Sequence, residues 1–149
     1  MGKFVTKVGL QKRGVRVDSV VCSRYGFQDE TSDHIFASCL LARVVWWHVF
    51  KWVRIPVLTE CNSVSHITDH ISGQIGAKTW KKTLQLVAFA TFWRIWLARN
   101  DKEFNCKTTS VPRLVELIKE AAYVWVKNRR QLKAISWPDW LDFNVVSFL

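Results

Sequence analysis

Fifteen residues in the middle of the chain, Leu84 to Ala98, are apolar except for Gln85, Thr91 and Arg94. That run is shorter than the ~20 residues a membrane span needs, so it predicts a buried core helix instead. Helical spacing extends it from Ala77 to Glu103, with Trp80, Phe89, Phe92, Trp93 and Trp96 as an aromatic stripe. Such a stripe can stack bases, but at helical spacing in so apolar a segment it reads as core.

Other helices are expected around this one. Thr31 or Ser32 is a plausible N-cap for a helix carrying Ile35, Phe36, Leu40, Val44, Trp47 and Val49, which should end before Pro56. Asp33 then falls in its first turn, where the helix dipole favours a carboxylate. Asn62 or Ser63 caps a short helix that stops at Gly73. Ser110, with Pro112 in the first turn, opens another, with Leu114, Leu117, Ile118, Ala121, Val124 and Trp125 on its apolar face. Trp137-Pro138-Asp139-Trp140 closes it, and the aromatic tail should fold back. Residues 1–28, punctuated by Gly9, Gly14 and Gly26, read as loops with a short strand or helix around Asp18 to Cys22.

Length matters next, because 149 residues suffice for one domain with a real core. The expected class is mostly α: a small irregular N-terminal knuckle, then a bundle of three or four helices. Residues 1–56 would form the knuckle with its helix, and 57–149 would pack on it. Scarce Gly and Pro argue against disorder and against a loop-rich β protein.

The chain carries 22 Lys and Arg against 12 Asp and Glu, a net charge of +10, which favours polyanionic partners or a plain solvated basic surface. The excess concentrates at residues 1–28 and 113–133. Four cysteines without a secretory leader do not suggest a disulfide framework and point to an intracellular protein, nuclear or cytoplasmic. The opening Met1-Gly2-Lys3-Phe4-Val5-Thr6 fits the short N-myristoylation pattern, and equally an ordinary start.

Cys22, His34 and Cys39 are the one cluster with metal-ligand character, since thiolate and neutral imidazole are preferred zinc ligands. A closed tetrahedral site needs a fourth ligand, naturally three residues after Cys22, and Tyr25 stands there. The three either hold a metal or pack as ordinary side chains. Cys61 and Cys106 are isolated, and His66 and His70 form an i, i+4 pair that reads as an exposed helix face.

The run from Arg13-Gly14 to Cys22, then Asp29-Glu30-Thr31-Ser32-Asp33-His34-Ile35-Phe36 and Cys39, resembles the zinc-binding domain that follows the reverse transcriptase in plant non-LTR retroelements. Trp46-Trp47, the segment from Trp93 to Asn100, Phe104, Ile118-Lys119 and Trp125 extend the resemblance to most of the chain. In those domains the pattern is C-x2-C, eight residues, then H-x4-C, so Tyr25 occupies a ligand position, and a phenol is a poor zinc ligand at neutral pH. The resemblance implies an accessory domain that helps hold RNA template or target DNA, with weak zinc binding through Cys22, His34 and Cys39. Lys12, Arg13, Arg16 and Arg24 would contact phosphates without sequence choice.

No Asp-Asp dipeptide, Gly-rich phosphate loop, G-x-S-x-G or H-E-x-x-H occurs, so polymerase chemistry is excluded and no other enzyme is expected. Oligomeric state is not legible.

Overall fold

The computed structural model describes residues 4–24, 27–129, 132 and 134–145. They form α1 (Lys7–Lys12), a π-helical turn (His34–Ser38), α2 (Leu40–Trp52), α3 (Val64–Ser72), α4 (Lys78–Asn105), α5 (Val111–Asn128) and α6 (Trp137–Leu141). Among the described residues there is no strand, only an isolated antiparallel bridge between Val21 and Asp29. The molecule is mostly helical, with an irregular N-terminal segment leading into a bundle of four longer helices, α2 to α5.

The 28 residues of α4 span about 42 Å and form the axis of the fold. Leu84, Leu86, Val87, Ala88, Ala90, Thr91, Phe92 and Ile95 are all buried, which is why the apolar run has so few polar breaks. Thr91 satisfies its hydroxyl by donating to the Val87 carbonyl, so it costs the core little. At the end of α4, Cys106 adopts a left-handed conformation (φ 51°) and its N–H closes on the Asp101 carbonyl. The short connection returns the chain as α5, an antiparallel neighbour. Leu114, Ile118, Ala122 and Val126, spaced four apart, are its buried row.

Serine caps are where the sequence places them. Ser63 Oγ accepts from the His66 N–H and Ser110 Oγ from the Arg113 N–H, each satisfying one orphan donor of a first turn. The tail folds back as expected. Trp140 is buried and donates Nε1–H to the Lys119 carbonyl, while Trp52 Nε1–H reaches the Leu141 carbonyl. One continuous apolar cluster runs from Cys22 to Val145.

Several expectations change. The helix expected from Thr31 or Ser32 to Pro56 is broken at Cys39, whose backbone is extended (φ −58°, ψ 138°), and α2 starts afresh at Leu40. That restart turns Ala42, Val45, Trp46, Val49 and Phe50 inward, leaving Leu40 and Trp47 exposed and Val44 only partly covered. On α4, Phe92 is core and Trp80 and Trp96 pack against it, but Phe89 and Trp93 remain 53% and 43% exposed. On α5 Ala122 and Val126 take the place expected for Val124, which is 52% exposed. The N-terminal stretch contains α1, capped by Thr6 Oγ1 on the Gly9 N–H, and at Asp18 to Cys22 has only the bridge residue Val21. Asp33 makes no side-chain cap bond to its own helical turn. Its Oδ1 accepts from the Val64 N–H and so caps α3.

Candidate metal centre

Cys22, His34 and Cys39 come together although they lie on two separate pieces of chain. Residues 20–22 and 28–30 lie side by side, the Cys22 N–H donating to Gln28 O at 2.9 Å and the Glu30 N–H to Val20 O at 2.7 Å. This brings Cys22 to the start of the following helical segment. There the π-helical geometry matters. Residues i and i+5 of an α-helix point about 140° apart, whereas the wider turn from His34 closes with the Cys39 N–H on the His34 carbonyl at 2.8 Å. The thiol and the imidazole are thereby brought to one side. The candidate ligand atoms of the three residues all lie within 4.8 Å of one another.

All three side chains are buried. Nδ1 of His34 lies 3.0 Å from Gln28 Oε1 and 3.4 Å from Ser38 Oγ, whereas Nε2 is buried with no hydrogen-bond partner. If Nδ1–H donates to Gln28 Oε1, Nε2 carries a lone pair with nothing to accept it, the tautomer a metal-binding histidine uses. A hydrogen bond with Cys22 and burial together push the Cys39 thiol far above its ordinary pKa, with the nearby Arg24 charge opposing them. The thiols pack without cost as neutral groups, but a buried imidazole nitrogen with no partner is unfavourable, and a cation bound by it and the thiolates would relieve that. The group can hold a metal ion. Tyr25, at the fourth position of the pattern, lies outside the described residues, as does Gly2.

Two other assemblies lock this region onto α4. Glu30, fully buried, accepts from the Lys7 N–H with Oε1 and is held by both Nη2 and Nε of Arg99, itself 3% exposed. Trp46 Nε1–H donates to the Phe36 carbonyl, and the Phe36 ring packs against Phe4, Phe92 and Trp96. Sequence reasoning missed the Glu30–Arg99 pair and the part played by Gln28. The one available signal was a cation, Arg99, directly after the apolar run, because a charge on so buried a helix demands a partner.

The basic residues divide. Lys12 and Arg13, at the end of α1, are exposed, and Arg16 is exposed at the rim of a cavity of about 460 Å³ also lined by Asp18, Trp96, Arg99 and Phe104. Arg24 turns inward: its Nη2 donates to the Ile35 carbonyl at 3.0 Å, and its Nε and Nη1 are buried and unpartnered. Elsewhere, Cys61 is buried and alone, with its thiol pushed up to about 11 by burial. His70 Nε2 contacts the Pro56 carbonyl at 2.7 Å, whereas His66 is exposed.

Comparison with known proteins gives no matching family model, no matching curated protein and no matching solved structure. No helix among the described residues is long and apolar enough to cross a membrane.

Proposed function

We propose that the chain is a non-catalytic, nucleic-acid-binding accessory domain of the type that follows the reverse transcriptase in non-LTR retroelements, with zinc held by Cys22, His34 and Cys39. The observation that carries this reading is the convergence of those three buried residues, with His34 Nε2 left without a hydrogen-bond partner. When bound, zinc would neutralise the two thiolates and cross-link the 20–30 turn to the π-helical turn, a structural and not a catalytic contribution. Gln28 would fix the imidazole tautomer from behind, and Arg24, beside Cys39, would favour its thiolate form. Net charge and the exposed Lys12, Arg13 and Arg16 support a polyanionic partner, held through phosphates without sequence preference.

Metal analysis of purified protein is the direct test. With Cys22, His34 and Cys39 as ligands, zinc should bind at up to one per chain, more weakly than in a Tyr25→Cys variant, and Cys22→Ser or Cys39→Ser should abolish it. Zinc content unaffected by either serine change would overturn the metal site. For the partner, changing the exposed Lys12, Arg13 and Arg16 together to Ala should weaken binding alike for unrelated RNA and DNA single strands. It should also flatten the logarithmic salt slope, expected near −2 to −3 for about three or four neutralised phosphates. Failure of the native protein to bind any oligonucleotide would remove the nucleic-acid reading.

A further inference from the structure

The face of α4 centred on residues 78, 82, 85, 89 and 93 changes character along its length. Toward the C-terminal end, the same face continues to Trp96, which is covered by Phe4 and Phe36. Toward the N-terminal end nothing among the described residues covers it. Phe89 and Trp93, one turn apart, stand 53% and 43% exposed, although large aromatic rings gain most from leaving water. Phe89 forms a ridge between two clefts. One, about 260 Å³, lies against α3 and is lined by Thr68, Ile71, Ser72, Ala88 and Phe92. The other, about 380 Å³, lies against α5 and is lined by Leu86, Trp125, Asn128 and Arg129.

The charge around this ridge has one sign. Lys78 and Lys82 are exposed and share the helix face with Phe89, and Arg129 borders the α5 cleft. From Lys78 to Asn100 α4 carries no carboxylate, and α5 carries none after Glu120. Asp69 is the carboxylate on α3, and it does not line the cleft there. Such a surface repels a second copy of itself and attracts a polyanion. A partner helix would need one continuous groove, yet the Phe89 ring divides the apolar surface in two. Planar groups fitting on either side of a standing ring, with cations flanking them, describe the bases and backbone of a single strand.

We infer that the Phe89–Trp93 ridge of α4, flanked by Lys78, Lys82 and Arg129, is a stacking platform for single-stranded RNA or DNA. This rests on the nucleic-acid reading above and moves its principal contact from the N-terminal basic stretch to the α4/α5 hairpin. Bases stack on Phe89 and Trp93, and phosphates pair with the three cations. Stacking tolerates any base, so the surface has affinity without sequence choice.

The experiment is fluorescence anisotropy of the full chain with labelled fifteen-nucleotide U and A strands and a hairpin duplex, across a salt series. Phe89→Ala and Trp93→Ala should each weaken single-strand binding about tenfold with the salt slope unchanged, while Phe89→Tyr keeps affinity. Lys78→Gln with Lys82→Gln should instead flatten the slope by about 1.4, or ~0.7 for each phosphate no longer neutralised. Unchanged thermal melting of these exposed-site variants separates lost binding from lost fold. Wild-type affinity in both aromatic variants, with binding lost on changing the exposed Lys12, Arg13 and Arg16, would overturn this platform and leave the broader reading standing. Absence of binding by the native chain would end both. Equal affinity for the duplex would rule out stacking, and a concentration-dependent dimer lost in Phe89→Ala would assign the ridge to a second copy.

Discussion

The N-terminal region, residues 4–39, and the helical body that follows are held by different physics. The body is apolar: α4 and α5 bury rows of Leu, Ile, Val and Ala with few polar atoms among them. The N-terminal region packs Ile35, Phe36 and Ala37 into the same core but adds a set of polar anchors to it. Glu30 reaches Arg99, Lys7 reaches Glu103 and the Val21 carbonyl, Ser23 reaches Glu103, and Trp46 holds the Phe36 carbonyl. Apolar burial is additive and forgiving of small changes, whereas a buried polar anchor is worth little until one partner is missing. The body should therefore respond to substitution in proportion to volume removed, and the N-terminal region in proportion to partners removed.

Removing one side of the buried ion pair should have the largest effect. Glu30→Ala leaves the Arg99 guanidinium buried and uncompensated and should cost about 3–5 kcal/mol in urea denaturation. Glu30→Leu combined with Arg99→Met should recover much of that loss. If the double variant were as unstable as the single one, the distinction between anchored and packed regions would fail. In the body, Ile118→Ala should cost about 3 kcal/mol and Ile118→Val about 1, following cavity size.

A pH effect comes next. The Cys61 thiol titrates near 11 in the fold, against 9.0 ordinarily. The raised pKa means that the unfolded chain ionises first, so stability is unaffected below pH ~9 and falls as pH rises from there toward 11. The loss should reach about 2 kcal/mol and be absent in Cys61→Ala, measured as the difference between the two proteins' denaturation curves. The smallest effect expected is a gain. Cys106 holds φ 51° at the end of α4, a conformation glycine adopts without steric penalty, so Cys106→Gly should stabilise by ~0.5–1 kcal/mol in thermal melts.

The same contrast explains what could be read beforehand. Residues whose role is set by local spacing were legible: Ser63 and Ser110 as caps, the run from Leu84 as core, Ile118 as buried, and Cys22, His34 and Cys39 as a group that can hold metal. Residues whose role depends on a distant partner were not. Glu30 carries no local sign of its role because its partner is 69 positions away. Trp47 and Val44 were placed in the core because one helical period was carried through Cys39, where the backbone leaves the helix and resets which face points inward. Phe89 and Trp93 fit the same periodicity as Phe92 and Trp96, and only the position of Phe4 and Phe36 over one half of α4 separates covered rings from bare ones.

The separation between Glu30 and Arg99 also sets an order of events during synthesis. Cys22, His34 and Cys39 leave the ribosome before α4, the helix that clamps their segment, and Arg99 follows Glu30 by 69 residues. At about 5–20 residues per second, that interval is roughly 3–14 s. Until then the nascent thiols are open to solvent, within reach of metal ions and of oxidants alike. Docking against α4 then encloses them, so solvent reaches them most freely before the molecule is finished.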